Sequence, residues 1–225
     1  MTHPLEQGLR QGLDGLALSL DDVQVTRLLD YVDLIQKWTK VYNLTAVRDP
    51  QEMLTHHLLD SLAVIAPLRQ QLVAMDAGQG IGSQAKPGAR MLDVGSGAGL
   101  PGIVVAICCP DITVHCVDTV AKKAAFIQQV AVGLKLPNLR GIHARVESLT
   151  DPYDVVSSRA FASLLDFTNW SGAALAEQGV WMAMKGKHPA DELAALPESV
   201  KVFHVEQLRV PGLGAERCIV WMHKG

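Results

Sequence analysis

Apolar residues recur at helical spacing over the first third of the chain and in short strand-length runs after it. Leu5, Leu9, Leu13 and Leu16 mark a short amphipathic helix, loosened by Gly8, Gly12 and Gly15. Ser19 reads as the N-cap of a second helix, carrying Leu28, Leu29, Val32, Ile35 and Trp38 and ending near Lys40. Asp49 caps a third that starts at Pro50, with Met53, Leu54, His57, Leu58 and Leu62 along it and Pro67 as its stop. From Gln70 to Ala89 the chain lacks a sustained period, which predicts a linker or surface loop. Beyond it the pattern predicts strands at 90–94, 112–117, 139–143, 153–158, 179–184, 200–205 and 217–223, and helices at 101–108, 120–134, 161–176 and 189–196. Such alternation builds a mostly parallel sheet with helices on both faces. The last two strands, joined only by LRVPGLGAE, should form an antiparallel pair. The expected organisation is an α/β fold: a helical segment at 1–69 packed on the sheet, a Gly/Gln-rich linker at 70–89, and the seven-stranded sheet domain at 90–225.

Composition narrows this only modestly. A hydrophobic content of 48% over 225 residues is ample for a core. No uninterrupted apolar run approaches the roughly 20 residues that cross a bilayer, and MTHPLEQGLRQGL lacks the pattern of a signal peptide. Cys108, Cys109, Cys116 and Cys218 have no C-x-x-C spacing, so reduced core thiols of a cytoplasmic protein are expected. With a net charge of −3, any nucleic-acid contact must rest on local basic patches.

The chemistry concentrates in ARMLDVGSGAGLPG, residues 89–102. A buried strand, Met91 to Val94, runs into Gly95, Gly97 and Gly99 and then into an apolar helix opened by Pro101. Glycines let a backbone approach a ligand, and a helix N-terminus offers unpaired N–H groups. A dinucleotide turn requires G-x-G-x-x-G, and Leu100 stands at its third glycine. Asp118, 23 residues after Gly95 at the end of the second strand, is nevertheless placed to meet a ribose. A ribose acid without the pyrophosphate turn resembles the S-adenosyl-L-methionine site of Rossmann-like class I methyltransferases. After the fourth strand, Ser158-Arg159-Ala160-Phe161 stands where amine-methylating enzymes carry an [N/D]-P-P-[Y/F] turn, so an amine substrate is disfavoured.

Four further pieces, KVYNLTAVRDP, HLLDSL, LDVGSGAGLPGI and SRAFASL, occur in this order and resemble the bacterial RsmG (GidB) family of 16S ribosomal RNA guanine-N7 methyltransferases. Met184-Lys185-Gly186, Val210-Pro211 and Glu216-Arg217 extend the likeness to the C-terminus. Two departures are His56-His57, where the family usually has Arg-His, and the Gly/Gln insert at 70–89. The resemblance implies a cytoplasmic monomer that uses S-adenosyl-L-methionine on 16S rRNA, within the small ribosomal subunit.

By the resemblance, Gly95, Leu100, Val146, Glu147 and Arg159 hold the cofactor; Gly97 joins them at the glycine turn and Asp118 on position. Arg159 admits three roles: a clamp on the cofactor carboxylate, a guanine reader, or a structural ion pair. Guanine N7 has a lone pair and no proton, so no general base is required and no catalytic residue is assigned; the work is orientation. Lys37, Lys40, His57, Lys123 and Lys185 are the candidate RNA contacts, with Arg48, Lys122 and Lys187 nearby in sequence. His56 and His57, adjacent on a helix, point about 100° apart, so no metal site is expected. A small-molecule methyltransferase of the same fold and a nucleotide-dependent oxidoreductase are the alternatives.

Overall fold

The computed structural model describes residues 3–77 and 88–225. Helix α1 (Glu6–Gly15) is followed by α2 (Asp22–Tyr42), whose N-cap is Asp21 and not Ser19. Asp21 accepts from the Gln24 N–H while the Gln24 side chain accepts from the Asp21 N–H, a reciprocal cap that Ser19 cannot make. The Gln24 amide also donates to the carbonyls of Ile107 and Cys108, tying α2 to the end of a later helix.

Asp49 caps α3 (Pro50–Met53) through the N–H groups of Gln51 and Glu52. The chain continues through a π-helical turn, Leu54–Leu59, into α4 (Asp60–Leu62) and α5 (Ile65–Ala77). Pro67 does not stop this helix. It is the third residue of α5, where a backbone N–H has no intrahelical partner to lose. The linker expected from Gln70 is therefore helical as far as Ala77, and residues 78–87 lie outside the described residues. Pro50–Asp76 is also long and apolar enough to cross a membrane by length and composition, which the interrupted run concealed. Its Leu54, Leu58, Leu62 and Leu68 are instead buried in the protein core.

The sheet comprises β1 (Arg90–Val94), β2 (Thr113–Asp118), β3 (Leu139–His143), β4 (Tyr153–Arg159), β5 (Leu175–Lys185), β6 (Val200–Leu208) and β7 (Arg217–Lys224). Their order is β3-β2-β1-β4-β5-β7-β6, parallel from β3 to β5, with β7 antiparallel to both β5 and β6. Period-two alternation sorts its faces. Met91, Val155, Met182 and Ile219 join a core shared with α1, α2, α6 (Gly102–Cys108) and α7 (Ala121–Gly133). Leu92, Val156, Ala183 and Val220 face Leu164 and Phe167 of α8 (Leu164–Ser171), with Leu193 of α9 (Ala190–Ala194) packed against that cluster.

The helix expected at 161–176 is shorter at both ends. Ser163 caps α8 by accepting from the Asp166 N–H, and β5 already begins at Leu175. Residues 160–162 stay irregular, with Ala160 and Ala162 at φ +52° and +41°.

Candidate functional site

The carboxyl ends of β1, β2 and β4 converge on the glycine turn. Gly97 sits at φ +59°, and a Cβ there would meet only the Gly95 carbonyl, 4.0 Å away. The turn is thus open at its tip and, by its backbone angle, strained for any other residue. Its base is pinned by buried polar groups. Asp93, on β1, accepts from the Gly102 N–H at 3.0 Å and from the Ser157 hydroxyl at 2.8 Å. Burial pushes the Asp93 carboxyl up to about 6. From the other side the buried Tyr31 hydroxyl of α2 donates to the Ala98 carbonyl at 2.6 Å.

Two cavities flank the turn, of about 470 and 430 Å3, and share Gly95 and Ala160. Asp118, Lys123, Val146 and Glu147 line the first, together with Phe161 and Trp170. Asp118 accepts from the Gly97 N–H at 3.1 Å and from the Val120 N–H at 2.8 Å, with Lys123 Nζ at 3.7 Å. Each of its oxygens retains acceptor capacity beyond one such bond. Val146 is buried at the start of a 3-10 turn, Val146–Ser148, and Glu147 is exposed beside it.

The second cavity is lined by Gly97, Leu100, Arg159, His57 and Lys185, and by three residues to which the sequence reading gave no role, Thr45, Asp60 and Arg217. Asp60 is 2% exposed and clamps two guanidiniums: Arg159 Nη1 at 2.9 Å and Arg217 Nε at 2.8 Å. Arg159 Nη1 also donates to the His56 carbonyl at 2.9 Å. Of its three possible roles, the ion pair is therefore in place, while its side chain still borders the cavity. The available signal was a lone acid within the apolar run Leu58-Leu59-Asp60-Ser61-Leu62.

Two of the lysine and histidine candidates occupy different surroundings from those expected. Lys185 is no free ammonium: it donates to Glu192 Oε2 at 2.8 Å and Oε1 at 3.1 Å and to the Ala162 carbonyl at 3.2 Å. Glu192 in turn accepts from the Leu164 N–H at 2.7 Å, so this pair ties down both ends of the Ala162–Leu164 segment. His57 is buried, with Nε2 2.8 Å from the Thr45 hydroxyl and Nδ1 without a partner among the described residues. Burial, and then the charge of Arg159, lower its pKa, which keeps it neutral near pH 7. Lys37 and Lys40 are exposed on α2 and line neither cavity. Arg48 closes the end of α2 through the Thr39 carbonyl and the Asn43 side chain. All four cysteines are free and buried, and burial pushes the Cys109 thiol up to about 11.

A seven-stranded sheet in this order, with a glycine turn at β1 and an acid ending β2, is the fold of the Rossmann-like methyltransferases. A coclaurine N-methyltransferase bound to N-methylheliamine and SAH superposes with a TM-score of 0.57 over 98% of this chain and 94% of its own, at 9% identity. TrmN from Thermus thermophilus gives 0.54 at 19% identity, over 76% of this chain and 53% of that one. The sequence goes further: residues 24–220 match the GidB model, rRNA small subunit methyltransferase G, and the chain belongs to that family. Ribosomal RNA small subunit methyltransferase G of Polaromonas sp. is 70% identical over 217 residues, covering 96% of this chain and 92% of the relative. That of Albidiferax ferrireducens is 70% identical over 220 residues, covering 98% and 97%. The protein is an rRNA methyltransferase.

Proposed function

We propose that the protein transfers the methyl group of S-adenosyl-L-methionine to N7 of a guanine in 16S rRNA. The observation that carries this reading is the pair of cavities joined at Gly95, one ending on Asp118, the other lined by Arg159, Lys185 and Arg217 without a poised base. The residues fit the cofactor. Asp118 has acceptor capacity left for ribose hydroxyls, and the tip of the turn is open. Asp118, Val146 and Glu147 would hold the nucleoside end; Gly95, Gly97, Leu100 and Arg159 would hold the amino-acid end. When bound, the cofactor supplies an electrophilic methyl group on a sulfonium sulfur.

The rest is orientation. N7 carries a lone pair and no proton, so no side chain has to accept one during transfer. His57 suits that role poorly, with one nitrogen on Thr45 and the other buried. Asp60 likewise is committed to two arginines. What remains is to hold nitrogen, methyl and sulfur in line, which proximity alone accelerates strongly. Exposed Lys37 and Lys40, with Lys123 at the cavity rim, are the basic residues proposed to meet RNA phosphates of the small subunit. Lys185 and His57 act by shaping the cavity wall.

The test is incubation of the purified protein with radiolabelled S-adenosyl-L-methionine and small ribosomal subunits lacking the modification. Borohydride reduction and aniline treatment then cleave RNA at 7-methylguanosine. Label with cleavage at one guanine is expected. Label without cleavage would refute N7 and leave another position of the rRNA as the acceptor.

A further inference from the structure

Phe161 is the aromatic residue at the junction of the two cavities, and its surroundings hold it there. Its ring lies against Gly95, so closely that a Cβ on that glycine would overlap Phe161 Cδ2. Trp170 meets the ring edge-on at a centroid distance of 5.9 Å. The residues on either side, Ala160 and Ala162, both have left-handed backbone angles, which non-glycine residues adopt only where the surroundings enforce them. The enforcement is visible. Lys185 grips the Ala162 carbonyl, and Glu192, its partner, grips the Leu164 N–H. Strain on both sides of one aromatic side chain at a cavity junction points to a role for the ring.

A cofactor with its ribose on Asp118 and its amino-acid end by Gly97 would span Gly95, placing its sulfur near the Phe161 ring that covers that glycine. Three of the cations around this crossing are paired with carboxylates, Lys123 with Asp118, Arg159 with Asp60 and Lys185 with Glu192, while the exposed Arg145 also lines the Asp118 cavity. The three paired cations are thus each offset by a carboxylate. An aromatic ring attracts a cation through its quadrupole but gives a neutral thioether no such term.

We infer that Phe161 reads the charge on the cofactor sulfur, favouring the sulfonium substrate over the thioether product. This rests on the proposed cofactor site and adds a specificity-determining contact to it. The consequence is product release: once the methyl group has left, the sulfur is neutral and its hold on the ring is lost.

Calorimetric titration of the apoprotein with S-adenosyl-L-methionine and with S-adenosylhomocysteine tests it without turnover. Phe161→Leu, which keeps bulk and removes the ring, should raise the dissociation constant for S-adenosyl-L-methionine about 3- to 30-fold, the span of cation–π contacts. Affinity for S-adenosylhomocysteine should stay within about twofold, because the cation–π term is absent for the neutral sulfur. Phe161→Tyr, which keeps a ring, should preserve the wild-type ratio and guards against a folding defect in the leucine variant. Equal losses for both ligands would make the ring a packing element and overturn the inference. Unchanged affinities with a raised KM for RNA would overturn it in favour of stacking on the target base. Wild-type protein that binds neither ligand would remove the cofactor site itself, a different failure from either.

Discussion

Asp93→Asn should change how stability depends on pH. Asp93 is fully buried on β1, and burial raises its carboxyl from 3.8 to about 6, against the lowering by Ser157, Gly102 and the charge of Arg159. Between those values the folded protein binds a proton that the unfolded chain has released. Stability from this group is therefore fully present below about 3.8 and is lost as pH rises through about 6. The difference corresponds to about 3 kcal/mol, of which about 2–3 kcal/mol falls between pH 4 and 7.5. Asparagine keeps an acceptor for the Gly102 N–H and an amide for the Ser157 oxygen but does not titrate. Urea unfolding followed by circular dichroism at pH 4, 5, 6 and 7.5 measures both proteins. The wild type should lose about 2–3 kcal/mol relative to the variant over that range. Parallel profiles would refute the argument, showing that the hydrogen bonds and the start of α6 offset the burial of the charge.

Three further outcomes are expected. Asp118→Ala should weaken S-adenosylhomocysteine binding by about 1.5–3 kcal/mol in a titration, the range for hydrogen bonds to a charged group; a negligible change would exclude Asp118 as the ribose acid. Tyr31→Phe strips the buried Ala98 carbonyl of its 2.6 Å donor and should cost about 1–3 kcal/mol in urea unfolding, with weaker cofactor binding alongside. Lys185→Ala and Glu192→Gln should be non-additive in unfolding free energy by about 0.5–3 kcal/mol, because each removes the same pair; additive losses would mean that the contact contributes nothing of its own.

The sequence revealed the parts whose physics is local. Strand-length apolar runs, the glycines after β1 and the acid ending β2 each follow from neighbouring residues, and the fold assembles them as the alternation implies. The Asp60 clamp was not legible, because its partners lie 99 and 157 residues away and meet only through the sheet order. The Lys185–Glu192 pair is not legible for a related reason: its partners, seven positions apart, meet only across a strand-to-helix turn. Pro67 does not end its helix because a break at Ala63-Val64, which leaves no strong mark in the sequence, starts a new helix ahead of it. α8 starts later than the apolar period implies because Ser163 caps it by accepting from the Asp166 N–H.

The bond from Tyr31 to Ala98 has a consequence for how the chain is made. Its two residues are 67 positions apart, and the face of α2 that carries Tyr31 packs in one apolar core with α6 and α7. On a ribosome, α2 emerges with Leu28, Tyr31, Val32 and Ile35 bare, and the surface that will cover them has not been synthesised. At about 5–20 residues per second, the roughly 100 residues from Tyr31 to the end of α7 take about 5–20 s, long compared with the microseconds of helix formation and collapse. The nascent helices must spend that time folded on one another or shielded by a chaperone. Their final burial waits beyond the glycine turn for α6 and α7, whose apolar side chains complete the same core.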